Sequence, residues 1–139
     1  MKNKLFSKIT IVIITYERLN NLNLLLEYFD KTCEGIEILI LDSSKNNNKK
    51  KIFKNKFNIV RYCKFNNSTF LAKKINTGFR LVNTPYSVIC ADDDFLIVST
   101  LNLCANFLNK NPTYISAMGY HYSYDFFYLE KFKKIFFTI

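Results

Sequence analysis

The sequence predicts an α/β fold: a mostly parallel sheet with helices on both faces. Three observations carry the prediction. Short apolar, largely β-branched runs such as ITIVIIT at 9–15 and IEILIL at 36–41 read as strands buried on both faces. Segments with helical spacing of apolar residues alternate with them, which implies parallel strands joined by crossovers. Polar residues collect just after the strands, where sheets of this kind bind ligands.

Taken in order, Ile9–Thr15 is the first strand. Leu22, Leu25, Leu26 and Phe29 then recur at helical spacing and predict an amphipathic helix over 18–30, ending before Gly35. Residues 36–41 form a second strand, followed by a polar loop, DSSKNNN, that runs into a lysine cluster. Residues 57–63 are a third strand. Ser68 is placed to cap a helix that turns Leu71, Ile75, Phe79 and Val82 to one face. Pro85 breaks that helix, and Tyr86–Ala91 is a fourth strand leading into Asp92. A helix over 99–109 points Leu101, Cys104, Ala105 and Leu108 inward, and 114–122 forms a fifth strand. The 139 residues suit one domain, with no internal repeat. Residues 123–139 are an aromatic and basic tail with no obvious place in the core.

Composition excludes some functions. Hydrophobic residues at 49% are enough for a packed core and argue against disorder. The net charge of +9 comes almost wholly from lysine, with only Arg18, Arg61 and Arg80 as arginines. Base readers favour the planar arginine fork, so no specific nucleic-acid partner is expected. Point charges do suit an anionic membrane surface. The apolar runs are too short to span a bilayer, and the basic N-terminus lacks a signal-peptide pattern. The expectation is a cytoplasmic protein with peripheral contact at the inner membrane face. No two of the four cysteines form a C-x-x-C pair, so no zinc site is expected; Cys90 reads as a buried free thiol.

The candidate chemistry lies at the strand ends. Strand one ends at Thr15, Tyr16, Glu17 and Arg18, strand two at Asp42, Ser43 and Ser44, and strand four at Asp92, Asp93 and Asp94. Three consecutive carboxylates repel one another unless a cation offsets them, and hard oxygens suit Mg²⁺ or Mn²⁺. The same residues would also favour the first turn of a helix. Asp42 is placed to accept from a base or ribose, or to bond its own backbone in a turn. Thr15 and Tyr16 offer a backbone contact and an aromatic face, or Thr15 caps the next helix. Arg18 is a ligand contact or a solvated charge.

Together these stretches resemble the opening of family-2 glycosyltransferases. TIVIITYERLNNLNLLL at 10–26 is similar to their strand, T-Y-N-R and leucine-rich helix; ILDSS at 40–44 to their second strand and its Asp. INTGF at 75–79 is similar to their N-x-G helix, and CADDDF at 90–95 to their D-x-D motif. The order and spacing hold over about residues 8–110.

The resemblance implies a Rossmann-like, GT-A-type half-domain that binds a nucleoside diphosphate sugar, most often a UDP-sugar. By position, Thr15 and Tyr16 would line the nucleoside pocket and Asp42 would meet the base. One of Asp92 and Asp93 would meet the ribose, and Asp93 or Asp94 would hold Mn²⁺ or Mg²⁺ against the diphosphate. Glu17 replaces the family's usual Asn and adds negative charge there. Ile75 stands where the family often has Arg, leaving Lys73 or Lys74 to supply that charge. The acceptor half and catalytic base lie farther on in the family, and Asp125 and Glu130 are the remaining carboxylates that could act as base. The expectation is therefore a truncated glycosyltransferase domain. Its acceptor would be a glycan or lipid-linked glycan, in surface polysaccharide synthesis. An inactive binding module is the alternative. A nucleotidyltransferase ranks below it, because no glycine-rich loop follows strand one.

Overall fold

The structure is a computed structural model and describes residues 6–33, 35–49, 52 and 60–120. Four strands, β1 (Ile9–Thr15), β2 (Glu37–Asp42), β3 (Val60–Lys64) and β4 (Tyr86–Ala91), form one sheet in the order β3-β2-β1-β4. All three pairings are parallel. Among the described residues the longer helices are α1 (Leu19–Thr32), α2 (Leu71–Leu81) and α3 (Val98–Lys110). This is the predicted fold class, a Rossmann-like α/β arrangement.

One face of the sheet carries Ile11, Ile13, Ile38 and Ile40, packed against Leu22, Leu25, Leu26 and Phe29 of α1 and Ala105 of α3. The other face carries Val12, Leu39 and Leu41, with Val82 just past the end of α2. Helices therefore cover both faces. The four α1 side chains are each at most 1% exposed. Burying one such side chain is worth about 1.5–3 kcal/mol before ordering entropy is counted. The helix stops at Cys33, whose N–H bonds Phe29 O, and Gly35 follows at φ +90°, a conformation that glycine adopts without strain.

Several details differ from the sequence expectation. The central strands are buried as predicted, but β4 alternates: Ser87 and Ile89 are exposed, whereas Cys90 is buried. It is an edge strand among the described residues, so one of its faces is only partly covered. Ser68 does not cap α2. Its N–H and hydroxyl both bond Asn66 Oδ1, and Phe70 occupies the N-cap. Nor does α2 bury Leu71 and Phe79, which are exposed; its buried residues are Lys74 and Gly78. Gly78 explains this. A Cβ there would lie 2.4 Å from Leu41 Cδ1, so the helix meets β2 along its smallest residue. The expected fifth strand is absent over 114–120, where the Tyr114 N–H instead closes a turn on Asn111 O. Apolar and aromatic composition makes a strand only where a ladder partner is available. Residues 57–59, 121–122 and the 123–139 tail lie outside the described residues.

Candidate functional site

The parallel register sets the site. Thr15 pairs with Asp42, Asp42 with Lys64, and Ile14 with Ala91, so the carboxyl ends of all four strands fall in one row. The candidates that come from three separate stretches of sequence thereby become neighbours.

Asp92 is the centre of one cluster. It is buried, and its Oδ2 accepts the Thr15 hydroxyl at 2.7 Å. Its Oδ1 accepts from Arg18 Nη1 at 3.3 Å, and the same nitrogen reaches Asp93 Oδ2 at 2.5 Å. The Arg18 side chain is 53% exposed, so its guanidinium lies across the mouth of the site. Asp93, then Asp92, hold its proton and raise its pKa. Thr15 is thus a strut between β1 and β4, not a helix cap; Arg18 itself occupies the N-cap of α1.

The three aspartates do not start a helix. The Asp94 N–H closes a turn on Ala91 O, and α3 begins only at Val98 with no acidic residue in its first turn. The segment after them is tied to α1: the Tyr28 hydroxyl donates to Leu96 O at 2.8 Å, and its ring meets Phe95 edge-on. Burial pushes the Cys90 thiol beneath the turn up to about 12, with the charges of Asp94, Asp92 and Asp93 adding to it.

Asp42 is the centre of the second cluster. It is completely buried. Its Oδ1 accepts the Ser44 N–H at 2.6 Å, the bond to its own backbone that a turn-forming Asp makes. Its Oδ2 accepts the Tyr62 hydroxyl at 2.5 Å and Asn48 Nδ2 at 3.4 Å. Burial, then Asp42, raises the Tyr62 pKa. For Asp42 to meet a base, Tyr62 or Asn48 would first have to give way.

Glu17 links the two clusters. Its N–H donates to Ser44 Oγ, and its Oε1 accepts the Lys45 N–H at 2.6 Å. It does so at φ +56°, a left-handed conformation in which Asn is several-fold enriched over Glu. Tyr16 is exposed beside it. Lys74 is buried and donates to Ser43 Oγ at 2.8 Å and Thr15 O at 3.3 Å. Lys73, one residue earlier on α2, is exposed. Ile75 is half-buried on the same helix.

Lys64 was missed in the sequence. Its ammonium donates to Ser44 O and Phe65 O, holding the β2 loop from the β3 side. The carboxyl-end rule finds it once β3 is extended one residue past Cys63.

The aspartate turn fits a hard divalent ion in part. Asp93 and Asp94 are exposed oxygen donors, and Asp93 already has a cationic partner in Arg18. Among the described residues no group of three or more His, Cys, Asp or Glu is arranged to hold a metal. Asp93 and Asp94 are the residues that would hold such an ion, which commonly takes one or two carboxylates and completes its shell with phosphate oxygens and water.

The family model for glycosyl transferase family 2 matches residues 10–138. The chain belongs to that family. The match runs well past the 8–110 stretch that carries the resemblance in sequence. No curated protein matches the chain. Family 2 glycosyltransferases generally bind nucleotide sugar donors and acceptors, and the row of strand ends is where a Rossmann-like sheet takes its ligand. None of the described helices is long and apolar enough to cross a membrane.

Proposed function

We propose that this family 2 glycosyltransferase domain binds a nucleoside diphosphate sugar, a UDP-sugar, across the carboxyl ends of β1, β2 and β4. The observation that carries the reading is the Thr15–Asp92–Arg18–Asp93 chain of hydrogen bonds. A buried carboxylate, Asp92, and an exposed one, Asp93, hold an exposed guanidinium at the place where the sheet takes its ligand. Arg18 supplies a planar donor fork for phosphate oxygens. Tyr16 offers a ring face to the nucleoside, with Glu17 and the Asp42-anchored loop beside it.

Asp93 and Asp94 would hold Mn²⁺ or Mg²⁺. When bound, the ion neutralises charge developing on the departing diphosphate. Arg18, released from Asp93 by the ion, would donate to the phosphates. Asp92, locked by Thr15, remains for the ribose.

The acceptor is a glycan or lipid-linked glycan, in surface polysaccharide synthesis at the inner face of a membrane. The lysine-based net charge of +9 supports that setting. A second reading, donor binding without transfer, rests on the described carboxylates. Glu27, Asp30 and Glu37 lie toward the amino ends of the strands, Asp42 and Glu17 hold the 44–45 backbone, and Asp92, Asp93 and Asp94 are taken by the ribose and the ion. Asp125 and Glu130, the expected bases, lie outside the described residues.

A nucleotide panel with Mn²⁺ tests the reading. UDP should bind at least about tenfold more tightly than UMP, a gap of about 1.4 kcal/mol. Equal affinity for the two would remove the diphosphate from the account. Release of free sugar from a UDP-sugar would separate turnover from binding alone.

A further inference from the structure

Lys74 and Gly78 are the two buried residues of α2, one helical turn apart on the same face. A lysine is rarely buried this fully unless it is paired. Among the described residues, its ammonium has no carboxylate within hydrogen-bonding distance. It donates instead to two neutral groups from different strands, the Ser43 hydroxyl after β2 and the Thr15 carbonyl at the end of β1. The Thr15 carbonyl also accepts the Ser43 N–H at 3.2 Å, so three bonds converge between the strand ends. On its other side, Thr15 holds Asp92. Burial lowers the Lys74 pKa, while the charges of Asp42 and Asp92 work against that lowering.

Gly78 sets how deep the ammonium sits. Without a Cβ, α2 closes on Leu41 of β2 and carries Lys74 down between the strand ends. A larger residue would lift the helix and the cation with it.

We propose that Lys74 is a positioning residue of the donor site, a buried clamp that fixes the ends of β1 and β2 and the 43–45 turn at a depth set by Gly78. It reaches the ligand only through Thr15 and Ser43, since it is 4% exposed. The clamp stands on the geometry alone; its effect on the donor rests on the reading under Proposed function.

The test compares wild type with Lys74→Met, Lys74→Arg and Ser43→Ala. Two measurements are made: amide hydrogen exchange without ligand, and UDP affinity in Mn²⁺. In Lys74→Met, amides of 43–45 should exchange about tenfold faster, equivalent to about 1.4 kcal/mol, while those of 11–13 and 39–41 stay protected. UDP affinity should fall by about tenfold, and Lys74→Arg should bring both readouts back to within about threefold of wild type. Ser43→Ala removes one end of the clamp and should show the same pattern at smaller amplitude. It carries the test should Lys74→Met fail to fold. Unchanged exchange at 43–45 in a folded Met or Ala variant would overturn the clamp, and an Arg variant no better than Met would overturn the role of the charge. A wild type that does not bind UDP, with exchange still accelerated in the variants, would keep the clamp and sink the donor reading.

Discussion

The Thr15 hydroxyl donates to the Asp92 carboxylate at 2.7 Å, a buried bond between residues 77 positions apart in sequence. It joins the end of β1 to the turn after β4, and so ties the first motif of the chain to the last. Replacing Thr15 with Val keeps the shape and removes the donor. The carboxylate oxygen left without it should cost about 1–3 kcal/mol of stability in urea denaturation. Thr15→Ser, which keeps the hydroxyl, should lose less than half as much. Equal losses in the two variants would mean that the methyl group, not the bond, matters here.

Glu17 should separate structure from charge. The Glu17→Gln variant retains an acceptor for the Lys45 N–H and the same left-handed backbone. Its stability should stay within about 0.5 kcal/mol of wild type. Removing a negative charge beside the proposed diphosphate should tighten UDP binding a few-fold at low salt, and less at high salt. Weaker UDP binding by this variant would place Glu17 in direct contact with the nucleoside, or the diphosphate elsewhere.

Gly78 should not tolerate a methyl group. A Cβ at this position would lie 2.4 Å from a terminal methyl of Leu41, a side chain that is completely buried and has little room to move. Gly78→Ala should therefore destabilise by about 1–3 kcal/mol, although alanine is the better helix former. A stabilised Gly78→Ala protein in thermal melts would show that α2 can lift off β2 at no cost.

The cysteines give a pH dependence. Burial pushes the Cys33 thiol up from 9.0, with the Thr32 hydroxyl pulling weakly the other way. The folded state therefore keeps a proton that the unfolded state releases. That stability is fully present below pH 9 and is lost as pH rises past it. Denaturation midpoints of wild type should fall above pH 9, and Cys33→Ala should flatten the fall. The half-buried Cys63 and Cys104 should be alkylated in the native state before Cys33 and Cys90. A pH profile identical in the two proteins would contradict this account.

Much of this was legible in the sequence because it rests on period and position. The leucines of α1 and the β-branched runs of β1 and β2 are repeating signals, and the structure buries them as read. The carboxyl-end rule picked out Thr15, Arg18, Asp42 and Asp92 without knowledge of how they bond. What the sequence could not show was which groups satisfy one another. Asp42 is placed in sequence either to meet a ligand or to bond its own backbone; the Ser44 N–H makes the backbone bond, and Tyr62 and Asn48, which no pattern pointed to, fill the other oxygen. The face of α2 was misread because apolar periodicity favoured Leu71 and Phe79, whereas closeness of approach favoured Gly78. The fifth strand failed for a related reason, since composition alone does not supply a ladder partner.

The most direct test of the central claim is calorimetric titration of UDP into the protein, once with Mn²⁺ and once with EDTA, repeated with Asp93→Asn and Asp94→Asn together. Binding should be saturable and fall at least about tenfold, or about 1.4 kcal/mol, when the ion is chelated, and the double variant should no longer respond to Mn²⁺. Equal UDP affinity in Mn²⁺ and EDTA, or no UDP binding in either, would contradict it.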